Sequence, residues 1–70
     1  MRDPLVDPQP GDVFFLLGET YEVLIQDGRW VMDKCTEGII TGQELWNTLP
    51  EWRSYMADAT VIRRAEDANA

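Results

Sequence analysis

The 70-residue sequence contains no histidine and only one cysteine, Cys35. A Ser-His-Asp triad is impossible without histidine, and a structural zinc site needs several Cys or His ligands. A single cysteine cannot close a disulfide within the chain, so Cys35 is interpreted as a small residue at a strand end. The glycine motifs of P-loop and dinucleotide-binding proteins are missing as well. We therefore predict that the protein holds no metal and no cofactor.

Thirteen acidic residues leave a general acid–base pair of carboxylates formally possible. Such a pair needs a cleft that raises the pKa of one carboxyl group, and catalytic pockets usually measure several hundred Å³. A chain of this length forms one domain near the lower size limit for an independent core, and it rarely encloses such a cleft. The sequence therefore predicts that the protein is not an enzyme. The same marginal size makes a homodimer possible.

Long apolar runs are also absent. The longest unbroken run covers residues 13–17, which is far too short to cross a bilayer. The first eight residues contain two prolines and three charged residues and lack the apolar segment of a signal peptide. We therefore expect a soluble cytoplasmic protein that does not enter a membrane.

Positive charge is scarce, since six basic residues face thirteen acidic ones and the net charge is −7. Direct binding to nucleic acid or to anionic lipid depends on Lys and Arg that neutralise phosphate, so both are disfavoured. Negative charge speeds association with a basic protein surface. The charge balance therefore favours a basic protein as the partner.

The residues that are present favour a three-stranded antiparallel meander over residues 12–34. Asp27-Gly28 is a strong two-residue hairpin signal, because a type I′ turn needs positive φ at both central residues. That turn places Ile25 opposite Trp30 and Glu22 opposite Asp33. The earlier turn is predicted at Gly18-Glu19, and the further pairs that these two turns imply include Leu24–Val31, Val23–Met32, Leu16–Tyr21 and Phe14–Val23.

Because side chains alternate across a strand, the meander has one strongly apolar face. Its members are Phe14, Leu16, Tyr21, Val23, Ile25, Trp30 and Met32. The opposite face combines apolar and acidic side chains: Val13, Phe15, Leu17, Glu22, Leu24, Val31 and Asp33. This second face needs a cover, which a helix, barrel curvature or a partner chain could each supply, and cover from within the chain is the simplest expectation. Either Lys34 or Arg53 relieves the like charges of Glu22 and Asp33, or the predicted register is off by one residue.

After the meander, Ile39-Ile40 suggests a brief fourth strand that pairs with residues 31–35. Thr41-Gly-Gln-Glu44 fits a capping box and predicts a helix that begins near Gly42. Thr48-Leu-Pro-Glu51 fits a second capping box with Pro50 in the first helical turn. One helix kinked at Pro50 or two short helices are both consistent, and two are favoured because an interior proline costs about 3 kcal/mol.

Residues 60–63 have a β-branched centre, which predicts a last edge strand. The domain prediction is an extended N-terminal arm over residues 1–11, a compact domain over 12–64 and a flexible tail over 65–70. The predicted fold class is α+β, with a small bent antiparallel sheet, formed by the meander and short edge strands, and one or two short helices.

Two stretches, Pro10-Gly-Asp-Val-Phe and Gly18-Glu-Thr-Tyr-Glu-Val-Leu, resemble small SH3-like β-barrel domains. The resemblance covers residues 10–35 and implies a barrel-like curvature of the sheet. The Trp- and Pro-containing second half departs from those barrels, which usually end in strands.

In size, charge and compactness the chain is also similar to small acidic inhibitors encoded by bacteriophages and prophages, among them anti-CRISPR proteins. The resemblance implies a DNA mimic that occupies the basic nucleic-acid-binding surface of a host protein, in the host cytoplasm. The alternative is a self-associating SH3-like structural or assembly protein. The residues predicted to contact a partner are six acids and one tryptophan: Glu19, Glu22, Asp27, Asp33, Glu37, Trp46 and Glu51.

Overall fold

Three two-residue turns, spaced ten residues apart, connect the first four strands of the chain. They are Leu17-Gly18, Asp27-Gly28 and Glu37-Gly38. All six turn residues have φ between 51° and 82°, which is the positive range that a type I′ hairpin turn requires at both central positions. The computed structural model describes residues 2–46 and 48–67.

The turns join four consecutive antiparallel strands, and a fifth strand follows a short helix. The strands are β1 Val13–Leu16, β2 Glu19–Gln26, β3 Arg29–Thr36, β4 Ile39–Leu45 and β5 Thr60–Arg63. Between β4 and β5 lies the helix α1, Leu49–Tyr55, and a 3₁₀ turn, Ala65–Asp67, follows β5. The strand order is β4-β3-β2-β1-β5, so β4 and β5 form opposite edges and the sheet is not closed.

The α+β prediction is wrong, because strands make up 48% of the described residues and α1 has only seven residues. The fold is a mostly β structure with one short helix. The SH3-like interpretation fails with it, since β4 and β5 lie four positions apart in the sheet and do not meet to close a barrel.

The helix predicted to begin near Gly42 is a continuation of β4. Both residues of the supposed capping box have other partners, since the Thr41 hydroxyl donates to the Lys34 carbonyl oxygen at 3.3 Å and Glu44 pairs with Lys34. The turn at Glu37-Gly38 directs the chain back along β3, and the ladder runs as far as the pair Val31–Leu45. Cross-strand pairing therefore overrides the local helix signal.

The predicted register of the β2–β3 hairpin is confirmed, from Gln26–Arg29 through Glu22–Asp33. The predicted β1–β2 register is wrong by two residues, since Phe14 pairs with Tyr21 and not with Val23. The cause is the turn, which lies at Leu17-Gly18 and not at Gly18-Glu19. A shift of two residues leaves every side chain on its predicted face.

The core lies between one face of the sheet and α1. Phe14, Tyr21, Val23 and Met32 supply the sheet side, and Trp52 and Met56 come from the helical segment. The Phe14 and Trp52 rings meet edge to face with centroids 5.5 Å apart, and the Trp52 indole N–H donates to the Met32 sulfur at 3.2 Å. The predicted apolar face of the meander therefore forms the core, although Ile25 at its end stays exposed.

The second predicted capping box is confirmed. Thr48 is the N-cap of α1, its hydroxyl accepts the backbone N–H of Glu51 at 3.3 Å, and Pro50 lies in the first turn. In the described residues this is the single α-helix, so the preference for two helices is wrong. The predicted last strand is confirmed as β5, which pairs with β1 at the sheet edge.

The N-terminal arm, residues 2–11, packs against the domain. Pro4 and Pro8 are buried, Leu5 packs against the core, and the Arg53 side chain donates to the backbone carbonyl of Val6. Of the predicted tail, residues 65–67 form the 3₁₀ turn. The rest of that prediction, residues 68–70, lies outside the described residues.

Candidate functional site

The sheet has a second face, opposite the core, which we call the open face. Its apolar members include Phe15, Leu24, Val31 and Leu45. Helix α1 and Leu5 of the arm pack on the core side, whereas Phe15 and Leu45 on the open face are 44% and 64% exposed. Val13 and Val31 on the same face are nevertheless buried, so among residues 2–46 and 48–67 the open face is covered in part.

Two carboxylates, Glu22 and Asp33, face each other across β2 and β3 near the middle of the open face. Neither has a cation within 4.0 Å among the described residues. The side-chain amide of Gln43 donates to Asp33 at 2.8 Å and to Gln26 at 3.2 Å. Like charges opposite each other on a strand pair are destabilising. The fold therefore keeps these two carboxylates together despite their mutual repulsion.

The two cations expected to relieve that repulsion are used elsewhere. Lys34 lies 3.8 Å from Glu19 and 3.9 Å from Glu44. Because residues of opposite parity on β3 point to opposite faces, Lys34 lies on the core side of the sheet, away from Asp33. Arg53 donates to the backbone of the arm. The sequence identified the repulsive pair and assigned its counterions wrongly.

The other predicted contact residues do not join this pair. Asp27 and Glu37 occupy turns at opposite ends of β3. Glu19 pairs with Lys34, and Glu51 lies in the first turn of α1. The structure therefore brings together Glu22 and Asp33 on the open face, and it distributes the remaining acids over the core side and both ends of the sheet.

Trp46 follows β4 directly and does not belong to a helix. Its ring lies between Trp30 and Trp52, with centroid distances of 5.2 and 5.4 Å and a tilt of 39° to each. It is half-buried, and its indole nitrogen has no hydrogen-bond partner among the described residues. The helix predicted to begin near Gly42 would have carried Trp46, so its structural context was wrongly predicted.

A concave site, which we call the aromatic groove, opens where the end of β4 meets α1. Its volume is about 320 Å³. Two carboxylates, three aromatic rings and two apolar side chains line it: Glu44, Glu51, Trp46, Trp52, Tyr55, Met32 and Leu45. Residues from two strands and the helix meet here through tertiary packing, and the linear sequence gives no sign of that meeting.

The aromatic groove has a negative balance. Lys34 approaches Glu44 at 3.9 Å, but it shares its charge with Glu19 at 3.8 Å. Glu51 has no ion-pair partner within the described part of the chain. One lysine thus serves two carboxylates, and a third, Glu51, remains available to an incoming cation.

Tyr21 lies beneath the helix and does not supply an acid or a base. Burial, together with interactions with Tyr55 and Glu19, raises the pKa of Tyr21 well above its ordinary value. Its ring meets that of Tyr55 edge to face at 6.5 Å. The phenol therefore stays protonated at neutral pH, and its hydroxyl donates to Glu19 at 3.2 Å.

The most buried charge of the described chain is Asp12, whose side chain is 0% exposed. Both its oxygens accept from the Arg2 guanidinium at 2.6 Å, and the backbone N–H groups of Gln9 and Ala65 each donate at 2.8 Å. Burial alone would raise the pKa of Asp12, but these four hydrogen bonds outweigh it and hold the pKa below its ordinary value.

Arg2 also pairs with Glu66, and the two carboxylates raise the pKa of Arg2 above its already high ordinary value. The same contact lowers the pKa of Glu66. The sequence analysis did not predict this site, because the partners of Asp12 lie up to 53 positions away. Every strong acceptor direction of Asp12 is occupied, so this site is structural.

Metal binding finds no support in the described residues. Nowhere in that part of the chain do three or more His, Cys, Asp or Glu residues gather in a way that could hold a metal ion. Cys35 is a free thiol on the open face, opposite Thr20 and Ile40. Among residues 2–46 and 48–67, no helix is long and apolar enough to cross a membrane.

The candidate site therefore consists of the acidic pair on the open face and the aromatic groove on the core side. Comparisons of the chain with protein-family models, with curated proteins and with solved structures found no match, so its function has to be inferred from these two surfaces alone.

Proposed function

We propose that this is a non-enzymatic binding protein whose carboxylates contact a Lys- and Arg-rich surface of another protein. One observation carries the proposal. Of the thirteen carboxylates, five have a cation within 4.0 Å, and the other eight have none among the described residues. Negative charge that is not used to hold the fold is available to a partner.

The open face supplies the geometry for such a contact. Glu22 and Asp33 lie together, with exposed Phe15 and Leu45 on the same face. Protein interfaces combine apolar contact with charged groups that steer the approach of the partner. An acidic pair beside exposed apolar side chains is suited to contact with a basic protein surface.

Proteins that hold nucleic acid present such basic surfaces, and a strongly acidic protein competes with phosphate for them. A phage-type inhibitor of the anti-CRISPR or DNA-mimic kind, acting in the host cytoplasm, is the form of this function that the size and charge of the chain favour. Direct binding of nucleic acid is disfavoured by the net charge of −7.

The test is capture of the partner from a host lysate on the immobilised protein, identification by mass spectrometry, and measurement of Kd with the purified partner. We expect Kd to rise at least tenfold between 50 and 300 mM NaCl, because charge-steered binding weakens with salt. An affinity that does not change with salt would contradict the proposal.

A matched pair of variants locates the contact. The double variant Glu22→Gln/Asp33→Asn removes two charges from the open face, and Glu37→Gln/Asp58→Asn removes two charges elsewhere. We expect the first variant to weaken binding about tenfold, or about 1.4 kcal/mol, and the second to weaken it much less. Equal losses in the two variants would show that net charge alone, and not the open face, binds the partner.

A specific observation favours a second function, self-association as a structural or assembly protein. Leu17, Ile39 and Ile40 are 92%, 68% and 61% exposed. Thr20 pairs with Cys35, so the turns at Leu17-Gly18 and Glu37-Gly38 lie at the same end of the sheet. The edge strand β4, which carries both isoleucines, has backbone groups available to a second copy.

Light scattering at micromolar concentration distinguishes the two functions. Self-association predicts a homodimer that Ile40→Lys converts to a monomer, because the substitution places a charge on the exposed edge strand. A monodisperse monomer at that concentration would exclude the assembly function and leave the acidic binding protein.

A further inference from the structure

We propose that the aromatic groove receives an arginine side chain presented by the basic partner. The proposal rests on the function proposed above and adds the chemical group that one part of the surface recognises. The groove is distinct from the acidic pair on the open face, since it lies where the end of β4 meets α1 on the core side of the sheet.

The lining of the groove is complementary to an organic cation. Trp46, Trp52 and Tyr55 supply aromatic rings, and Glu44 and Glu51 supply carboxylates. A cation over an aromatic face is attracted by the negative face of the ring, and it is attracted further by a nearby carboxylate. An anionic ligand would meet two carboxylates, so phosphate and nucleic acid are disfavoured.

Exposure within the groove matches the entry of a side chain from outside. Trp52 is fully buried and forms the inner wall, whereas Tyr55 is exposed and Trp46 is half-buried. A volume of about 320 Å³ is at the small end of ligand pockets, which suits one long side chain better than a larger cofactor.

Guanidinium fits this lining better than ammonium does. It is planar, stacks on aromatic rings, is weakly hydrated, and pairs with a carboxylate through two parallel hydrogen bonds. Lys34 lies 3.9 Å from Glu44, so this carboxylate of the lining already has a cation beside it. Glu51 is the carboxylate left to pair with the incoming guanidinium.

The direct test uses short acetylated and amidated Gly-Arg-Gly, Gly-Lys-Gly and Gly-citrulline-Gly peptides. Citrulline keeps the shape of arginine and removes its charge. Tryptophan fluorescence and the indole N–H signals of Trp46 and Trp52 in ¹H–¹⁵N NMR report on the groove. We expect the arginine peptide to shift both indole signals, and the citrulline peptide to bind at least tenfold more weakly.

Three variants make the assignment specific. Glu51→Gln keeps the capping box of α1, since Gln serves in that position as Glu does, and we expect it to weaken the arginine peptide at least threefold. Asp58→Asn removes a charge at an exposed position outside the groove lining, and this control should leave the affinity unchanged. Tyr55→Leu removes an aromatic ring from the lining and should also weaken binding.

Three results would overturn the inference: equal effects of the arginine and citrulline peptides, tighter binding of the lysine peptide, or an affinity unchanged in Glu51→Gln. If the arginine peptide fails while the captured partner still binds with strong salt dependence, the groove inference is wrong and the proposed function stands. The opposite outcome is also distinguishable. If the arginine peptide binds, but the affinity for the partner is unchanged by salt and by Glu22→Gln/Asp33→Asn, the proposed function is wrong and the groove inference stands.

Discussion

Some residues adopt backbone conformations that lower the stability of the fold, and Leu17 is the clearest example. It has φ of 51° at the first position of a hairpin turn, and its side chain is 92% exposed. Left-handed backbone costs an ordinary L-residue about 1–2 kcal/mol, and asparagine tolerates it better. An exposed leucine gains little from burial there, so this cost is not recovered within the described structure.

We predict that Leu17→Asn raises the free energy of unfolding by about 0.5–1 kcal/mol, because asparagine adopts positive φ with less strain. Urea unfolding followed by tryptophan fluorescence measures the change. Leu17→Val is the matched control and should lower stability, since a β-branched residue is disfavoured at positive φ. A loss of stability in Leu17→Asn would mean that the leucine side chain contributes packing that its exposure does not reveal.

Asp12 is the residue at which we expect substitution to destabilise the fold most. We predict that Asp12→Asn lowers the free energy of unfolding by about 3 kcal/mol, because it leaves Arg2 without its buried partner and replaces an acceptor with a donor facing backbone N–H groups. Thermal unfolding at pH 7 measures the loss. Asp58→Asn, at an exposed position, removes the same charge and should change stability by less than about 0.5 kcal/mol.

The pH dependence of stability gives a second measurement on the same carboxylate. The pKa of Asp12 in the fold lies below its ordinary value of 3.8. The ionised carboxylate therefore stabilises the fold at every pH above that ordinary value, and the contribution is lost as pH falls through the folded-state pKa. We expect acid titration of stability to be steep in the wild type and shallower in Asp12→Asn. Identical acid profiles would contradict this role.

Among the structural elements, the β2–β3 hairpin was the most predictable from sequence. Asp27-Gly28 specifies a two-residue turn, and the register of all further pairs follows from it. The β1–β2 turn was mispredicted because leucine is an unusual residue at positive φ, so Leu17-Gly18 gives no local signal. Its two-residue error left the faces unchanged, which is why the core face could still be predicted.

The element that was wrongly predicted from the sequence is β4. Thr41 and Glu44 have the spacing of a helix start, and their side chains instead serve the β3–β4 ladder and Lys34. The same error hid the aromatic groove, because a helix beginning at Gly42 would not bring Trp46 and Glu51 together with Met32. Local capping chemistry was correct for α1, where no competing strand is available.

The acidic pair on β2 and β3 is expected to lower the stability of the sheet. We expect Glu22→Gln to raise the free energy of unfolding by about 0.5 kcal/mol, since it removes a like-charge contact with Asp33. The urea midpoint measures the gain, with Glu37→Gln as control because it changes the same residue type at an exposed turn. A drop in stability would show that Glu22 has a favourable partner in solution. A stability gain combined with weaker partner binding would show that the pair is kept for recognition.

For the whole molecule, the net charge of −7 acts against compactness, because eight carboxylates have no close cation among the described residues. We predict that raising NaCl from 20 to 200 mM increases Tm by about 2–4 °C, or about 0.5 kcal/mol, as salt screens the self-repulsion. Differential scanning calorimetry measures the shift. Asp58→Lys, with a net charge of −5, should respond less. A Tm that falls with salt would mean that the internal ion pairs outweigh the repulsion.

The hydrogen bonds of Asp12 have a consequence for how the chain may be rearranged. Arg2 and Ala65 meet at one carboxylate, and Arg2 also reaches Glu66, so the first and last described segments lie at a single corner. Circular permutation is tolerated when the joined termini are close and the new opening falls at an exposed turn. A permutant linked across that corner and reopened at Glu37-Gly38 would keep all five strands, and it would recover the native fold by a different order of synthesis.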